Sequence, residues 1–417
     1  MKQMIIEGNN ILSGNIEIGG AKNSAVALIP AAILASGEST IKNVPNISDR
    51  DALIDILELL NCNVKIKDNE LTIDSTNLNN KVIDNSYSSR LRASYYFMGA
   101  LLGRQKNVEI YIPGGCNIGS RPIDMHIDGF KALGVKVEIE GDKYILSADK
   151  LVGTDIYLRF QSVGATINIM LASVLAEGKT IIHNAAKEAE INNIADFLNN
   201  MGAKITGAGT DEITIIGVEA LHGAEISVLP DRIEAGTYLI LGALCGTNLT
   251  IKNIIPEHLE SLTTKLKEMG SNLIINKDSI SISKVSELKA INIKTLVYPG
   301  IPTDIGQPMS VLLSQSTGTS LFEETIWENR MGHVPSLNKM GANIQVNGMS
   351  AIIKGPTKLK GCDVIATDLR GGAALVIAGL IAEGITTITD VEHILRGYEN
   401  ITEKLTNVGA KIELKEI

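Results

Sequence analysis

The sequence predicts an α/β protein of two similar domains, with helices inside and sheets outside, and three observations predict it. A 14-residue segment recurs six times along the chain. The helix that opens each copy is apolar nearly all round, so it is buried on every side. At 417 residues the chain is long for one core, and six copies divide most simply as three plus three.

The recurring segment is an apolar stretch, a small residue or glycine, and a β-type run. It reads AAILASGESTIKNV at 31–44, GALLGRQKNVEIYI at 99–112 and ASVLAEGKTIIHNA at 172–185. It returns as LGALCGTNLTIKNI at 241–254, VLLSQSTGTSLFEE at 311–324 and AGLIAEGITTITDV at 378–391. The aligned glycines 37, 103, 178, 246, 318 and 384 are spaced 66, 75, 68, 72 and 66 residues apart, longer than common solenoid periods. Each copy leads to a second, amphipathic helix, such as the one carrying Ala52, Ile56, Leu59 and Leu60. That helix ends in LNCNVKI, LGVKVEI, MGAKITG, MGSNLII, MGANIQV or VGAKIEL, with Asn61 replacing the glycine in the first copy. Each unit therefore reads helix, strand, helix, strand, strand.

Taken in order, residues 1–21 precede the first buried helix and contain only two strand-like runs, Met4-Ile5-Ile6 and Ile16-Glu17-Ile18. They are expected to join the second domain near the C-terminus. That gives a first domain over 22–229 and a second over 1–21 with 230–417, joined by two crossings of the chain. No stretch reads as low-complexity or as a disordered linker.

Composition narrows the function. The net charge is 38 − 47 = −9 and only 4% of residues are aromatic, which argues against nucleic acid and anionic membranes as partners. The start has no apolar signal core and no stretch has the length and apolarity of a membrane span. Cys62, Cys116, Cys245 and Cys362 are too far apart for a metal knuckle or a redox pair, so reduced thiols in the cytoplasm are expected. The six histidines form no metal pair, and the GxGxxG, GxxxxGK[ST], HExxH and GxSxG patterns are all absent.

Chemistry concentrates first in Pro113-Gly114-Gly115-Cys116-Asn117-Ile118-Gly119-Ser120-Arg121-Pro122-Ile123-Asp124-Met125-His126. Three glycines in a short span make a loop able to close over a ligand. Arg121 lowers the pKa of a nearby thiol and grips anions, so Cys116 reads as an acid or nucleophile on a lid above an anionic substrate. The residues opening the six buried helices point the same way. They are Gly20-Ala21-Lys22-Asn23-Ser24, Ser89-Arg90-Leu91-Arg92-Ala93-Ser94, Gln161-Ser162-Val163-Gly164-Ala165-Thr166, Pro230-Asp231-Arg232-Ile233-Glu234, Pro302-Thr303-Asp304-Ile305-Gly306 and Thr367-Asp368-Leu369-Arg370-Gly371-Gly372. Unpaired N–H groups and the dipole favour anions at such ends. Lys22, Arg92 and Arg370, with Arg232 as a further candidate, add full charges there, and two facing domains would build a cationic cleft. Asp304 in that cleft would be ionised and able to take a proton. Asp231 and Asp368 compete with it, reading first as helix caps or arginine partners. Arg330, near Trp327, and Arg396, before Gly397-Tyr398-Glu399, complete the basic set.

These residues resemble the enolpyruvyl transferases. The resemblance rests on Gly-Gly-Ala-Lys22-Asn23-Ser, Leu-Arg92-Ala-Ser, Pro-Gly-Gly-Cys116-x-Ile-Gly-x-Arg121-Pro, Ser162-Val-Gly-Ala-Thr, Pro-Asp-Arg232-Ile-Glu, Pro-Thr-Asp304, Glu-Asn-Arg330-x-x-His-Val-Pro, Thr-Asp368-Leu-Arg370 and Arg396-Gly-Tyr-Glu, which run in order from residue 19 to 399. It implies a two-domain inside-out α/β barrel built from six βαβαββ repeats. It also implies transfer of the enolpyruvyl group of phosphoenolpyruvate to the 3′-hydroxyl of UDP-N-acetylglucosamine, with release of phosphate, at the start of bacterial peptidoglycan synthesis.

On that resemblance Cys116 is the acid and can form a covalent adduct with phosphoenolpyruvate, and Asp304 is the base toward the sugar hydroxyl. Lys22, Arg92, Arg121, Arg370 and Arg396 hold phosphate and carboxylate, with Lys22 and Arg396 counted among the catalytic groups. Asn23, Arg330 and Asp368 lie near the substrates. Arg121, Pro122, Ile123, Asp124 and Met125, with Ser162, Val163, Gly164 and Ile326, hold the sugar nucleotide. No metal and no cofactor is implied. A lid cysteine implies alkylation by the epoxide antibiotic fosfomycin. Arg159 to Gln161 depart from the lysine-bearing versions of that stretch, and Gly371-Gly372 loosens the start of one helix. The alternatives are the related transfer to shikimate 3-phosphate and a non-catalytic sugar-nucleotide sensor of the same fold. Turnover separates them.

Overall fold

The computed structural model of the protein describes residues 2–114 and 122–416, and the Cys116-to-Arg121 part of the loop lies outside the described residues. Among the described residues, twelve helices longer than four residues alternate in character. In chain order they are α1 (Lys22–Ala31), α2 (Ser48–Leu59), α3 (Tyr96–Gln105), α4 (Asp124–Ala132), α5 (Val163–Ser173) and α6 (Ala189–Asn200). They continue as α7 (Arg232–Cys245), α8 (Glu260–Glu268), α9 (Gly306–Ser314), α10 (Val334–Lys339), α11 (Leu369–Ile381) and α12 (Ile401–Thr406). The odd-numbered six are the apolar helices. In α5 every residue from Gly164 to Ser173 is buried, and in α7 every residue from Ile233 to Cys245. The even-numbered six bury one face, as α2 does with Leu53, Ile56 and Leu57.

One sheet accompanies each repeat: five have four strands and one has three among the described residues. Among the described residues, five of the six sheets have a lead strand parallel to the strand that follows the buried helix, as Asp155–Tyr157 is to Lys179–His183, where a hairpin completes the sheet antiparallel. Two compact units result. One spans Gly20 to Leu229, and the other joins the N-terminal stretch up to Gly19 with the chain from Pro230 onward. Each has its own apolar core, centred on α1, α3 and α5 in one and on α7, α9 and α11 in the other. This is the inside-out α/β architecture, with apolar helices inside a wrapping of sheets.

The lead strands of the first and fourth repeats are exchanged. Leu12–Glu17, which precedes α1 in sequence, runs parallel to Gly246–Lys252 after α7. Glu225–Ser227, which precedes α7, runs parallel to Glu38–Lys42 after α1. The strand Lys2–Glu7 lies between Ile385–Thr389 and Ile412–Glu416, antiparallel to both, with Met4 and Ile6 fully buried.

Two turns recur because their backbone needs a left-handed residue. Gly134, Gly202, Gly270, Gly341 and Gly409 end the even-numbered helices at φ between 94° and 105°, and Asn61 does so at 64° in the first repeat. Glycine reaches that region freely, and asparagine is one of the few other residues that tolerates it. The glycines aligned from the 14-residue segment are less uniform. Gly37, Gly178, Gly318 and Gly384 have positive φ, but Gly103 lies within α3 and Gly246 opens a strand. Lys106 and Asn248 take the left-handed position in those two repeats, at 65° and 55°.

Candidate active site

In the unit spanning Gly20 to Leu229, Lys22, Asn23, Arg92 and Ser162 to Gly164 stand at the starts of helical segments, and Pro122 to Met125 lead into α4. Lys22 is the first residue of α1, and its Nζ lies 3.0 Å from Oδ2 of Asp49. Asp49 sits in the first turn of α2 with 5% of its side chain exposed, against 17% for Lys22. A carboxylate in a helix's first turn is favoured by the dipole, so α2 holds a fixed anion against this lysine. Arg92 begins the short turn Arg92–Tyr95 ahead of α3, and its guanidinium lies 5.8 Å from the centroid of the Tyr95 ring.

Ser162 caps α5, its Oγ accepting from the Ala165 N–H at 3.3 Å. Gly164 follows because nothing larger fits: a Cβ there would stand 2.7 Å from Tyr95 Oη and 3.0 Å from His126 Cε1. His126 is buried behind it. The Gly99 N–H donates to Asn168 Oδ1 at 2.9 Å, which sets the amide so that Nδ2 donates to the Tyr95 carbonyl at 3.0 Å and to His126 Nδ1 at 2.8 Å. Burial, helped by the charge of Arg92, pushes His126 down to about 3, so the imidazole is neutral with its proton on Nε2. Ile123 and Met125 are buried, Pro122 is exposed, and Asp124 opens α4. Asp124 accepts a hydrogen bond from Arg159 Nη2.

In the other unit the centre is Asp304, in the turn Thr303–Ile305 that leads into α9. Two guanidiniums hold its carboxylate. Arg330 donates through Nη2 to Oδ1, and Arg370 donates through Nε to Oδ2 at 3.2 Å. Arg330 is itself held, donating through Nε to Thr303 Oγ1 at 3.1 Å, and Thr303 donates on to Glu324 Oε2 at 2.8 Å. The other oxygen of Glu324 accepts from the Ile326 N–H at 2.7 Å, which brings Ile326 into the same network. Arg370 is 2% exposed, with its guanidinium 5.3 Å from the centroid of the Tyr398 ring. Thr237 donates to the Ile233 carbonyl at 2.9 Å, so its oxygen accepts from Tyr398 Oη, also at 2.9 Å. Arg396 is half-buried and ends the short helix Glu392–Leu395.

The competing acids have other work. Asp231 caps α7, accepting from the N–H groups of Ile233 and Glu234 at 2.8 and 3.0 Å. Asp368 caps α11, accepting from Arg370 and Gly371, both at 3.0 Å. The pair Gly371-Gly372 is tight rather than loose: a Cβ on Gly371 would stand 2.7 Å from Asp368 Oδ2, and one on Gly372 2.5 Å from Ile394 Cγ1. Arg232 stacks 5.2 Å from the Tyr298 ring centroid. Cys116 and Arg121 lie outside the described residues.

The sequence did not single out Asp49, Tyr398 or Glu324. A signal for Asp49 was present, because α2, α4 and α6 each carry an acid in the first turn, Asp49, Asp124 and Glu190. No helix among the described residues is long and apolar enough to cross a membrane.

Comparison with known proteins follows the same lines. The family model described as EPSP synthase (3-phosphoshikimate 1-carboxyvinyltransferase) matches residues 6–405. The chain is 54% identical over 418 residues to UDP-N-acetylglucosamine 1-carboxyvinyltransferase 2 of Clostridium acetobutylicum, covering 100% of both chains. It is 52% identical over 413 residues to the enzyme of the same name from Bacillus subtilis, covering 99% of this chain and 96% of that one. Among solved structures it resembles the enolpyruvyl transferase NikO from Streptomyces tendae, with TM-score 0.91 and 25% identity over 99% of both chains. It shares the fold of EPSP synthase from Acinetobacter baumannii, with TM-score 0.76 and 19% identity over 100% of both chains.

Proposed function

The chain belongs to the EPSP synthase family of enolpyruvyl transferases, and we infer that it transfers the enolpyruvyl group of phosphoenolpyruvate to the 3′-hydroxyl of UDP-N-acetylglucosamine, releasing phosphate. One observation carries the choice of acceptor: identity above half, over the full length, with relatives that bear that name. The reaction opens peptidoglycan synthesis. A cytoplasmic location is part of the proposal, in keeping with the unpaired thiols of Cys62, Cys245 and Cys362.

The chemistry asks for two proton transfers and a cradle for charge. In the addition step the methylene carbon of phosphoenolpyruvate takes a proton, and the sugar oxygen bonds to the carbon bearing phosphate. The hydroxyl proton goes to a base. In the elimination step the new methyl group gives a proton back, the carbon–oxygen bond to phosphate breaks, and the double bond re-forms. We assign Cys116 as the acid and Asp304 as the base. The guanidiniums of Arg330 and Arg370 hold the Asp304 carboxylate in place, and opposite charges this close favour its ionised form, the form that can accept a proton. Lys22, Arg92, Arg121, Arg370 and Arg396 are assigned to phosphate and carboxylate, and Asn23, Arg330 and Asp368 to the ground around them. The sugar nucleotide is assigned to Arg121, Pro122, Ile123, Asp124, Met125, Ser162, Val163, Gly164 and Ile326.

The test is phosphate release from phosphoenolpyruvate with UDP-N-acetylglucosamine or shikimate 3-phosphate as acceptor. Release with the sugar nucleotide alone is expected. Release with shikimate 3-phosphate alone would overturn the acceptor. Binding of the sugar nucleotide without release under either condition would make the protein a sensor rather than an enzyme.

A further inference from the structure

We propose that Arg159 is a specificity-determining residue for the sugar-nucleotide substrate, acting through the charge it holds over Asp124 and Asp128. The inference rests on the acceptor assigned above. Residues 158–162 connect the strand Asp155–Tyr157 to Ser162, the cap of α5. Leu158 anchors that loop: its N–H donates to the His183 carbonyl at 3.1 Å, and its carbonyl accepts from Asn184 Nδ2 at 2.8 Å. Arg159 then leaves the loop and donates through Nη2 to Asp124 Oδ2, and the same nitrogen lies 3.6 Å from Asp128 Oδ2. The two acids stand one turn apart at the start of α4 and are themselves exposed.

An ion pair as open as this one, with 61% of the arginine side chain exposed, contributes little to folding. Its consequence falls on what binds beside it. The loop carrying Arg159 runs directly into Ser162 to Gly164, and Asp124 lies within the stretch from Pro122 to Met125. Both stretches are assigned to the sugar nucleotide. A nucleoside diphosphate sugar brings two negative charges. Against it α4 would set two carboxylates, a charge of −2, and Arg159 reduces that to −1. The guanidinium also keeps donors beyond the one given to Asp124, and a fork of N–H groups matches phosphate oxygens. Arg159 therefore sets how well this face tolerates a diphosphate, without touching the phosphoenolpyruvate chemistry.

Arg159→Ala tests this, with Arg159→Lys beside it. Steady-state rates should show KM for UDP-N-acetylglucosamine raised about tenfold at low ionic strength, as loss of a charge-assisted interaction implies, with kcat and KM for phosphoenolpyruvate within about twofold. The effect should shrink at high salt, and Arg159→Lys should recover most of it. Calorimetry should find UDP binding weakened and uridine binding unchanged. Equal loss of UDP and uridine binding, a fall in kcat with KM unchanged, or no change in any parameter would overturn the proposal. Absence of turnover by the unaltered protein with UDP-N-acetylglucosamine is a different failure, that of the acceptor. Binding of UDP and uridine still decides the role of Arg159 in that case.

Discussion

Single side chains in this protein draw their meaning from a partner supplied by another helix. Lys22 opens α1, but Asp49 on α2, 3.0 Å away and buried, fixes where its ammonium stands. Asp49→Asn should lower kcat/KM for phosphoenolpyruvate by roughly tenfold to a hundredfold, the worth of a charge-assisted hydrogen bond of about 1.5 to 3 kcal/mol. Steady-state kinetics with phosphoenolpyruvate varied checks this. Asp51→Asn, which removes only the exposed partner of Arg50, should leave the rate unchanged. The contrast shows what was legible in the sequence. Lys22, Asp304 and Arg370 stand at equivalent places in a repeat, so position alone marked them. Asp49 also stands at a repeated place, the first turn of an even-numbered helix, but nothing in the sequence ties it to Lys22, and Tyr398 carries no such mark, because their importance is a distance that only the packing of helices creates. Asp231 and Asp368 were legible as acids at helix starts, and their hydrogen bonds to the backbone show them to be caps.

At the scale of the element, one brace is repeated around the fold. Asn43, Asn184 and Asn253 each end the strand after a buried helix, with φ of 55°, 54° and 55°. Their Nδ2 groups donate to the carbonyls of Val228, Leu158 and Ile18, which follow the parallel lead strands. Asparagine does two jobs there, since it accepts the left-handed backbone and reaches across to a neighbouring chain segment. Asn184→Ala should destabilise the protein by about 1 to 3 kcal/mol, losing the hydrogen bond and straining the turn, and Asn184→Gly should lose less because only the bond is gone. Midpoints of denaturant unfolding for the two variants check the order. The sequence motif at these sites, IKNV, IHNA and IKNI, marked the end of a strand but not this bond. The acceptor lies in a lead strand that sequence reading could not pair, because two of the three are exchanged.

At the scale of the whole molecule, each unit carries a buried histidine that folding keeps neutral. Burial, with the charge of Arg92, pushes His126 down to about 3, and burial pushes His333 down to about 4. Unfolded, each titrates near its ordinary value of about 6.5. Their contribution is therefore complete above that value and is lost as pH falls below it toward the folded values, by about 2 kcal/mol for each histidine between pH 7 and pH 5. Burial raises Glu234 against the pull of Lys404, and that group works in the opposite sense. Unfolding free energies of the unaltered protein and of His126→Asn, measured across that range, isolate the imidazole, and the variant should show the shallower slope. The exchanged lead strands also set an order of assembly during synthesis. Everything the Gly20-to-Leu229 unit needs has left the ribosome soon after Ser227 is made, and that half can close while the rest is still being translated. The strand Lys2–Glu7 is made before every other described strand, but its two neighbours, Ile385–Thr389 and Ile412–Glu416, follow only after α11, the last of the buried helices, has been translated. Of the strands described, the first to be made is thus the one that waits longest for its place.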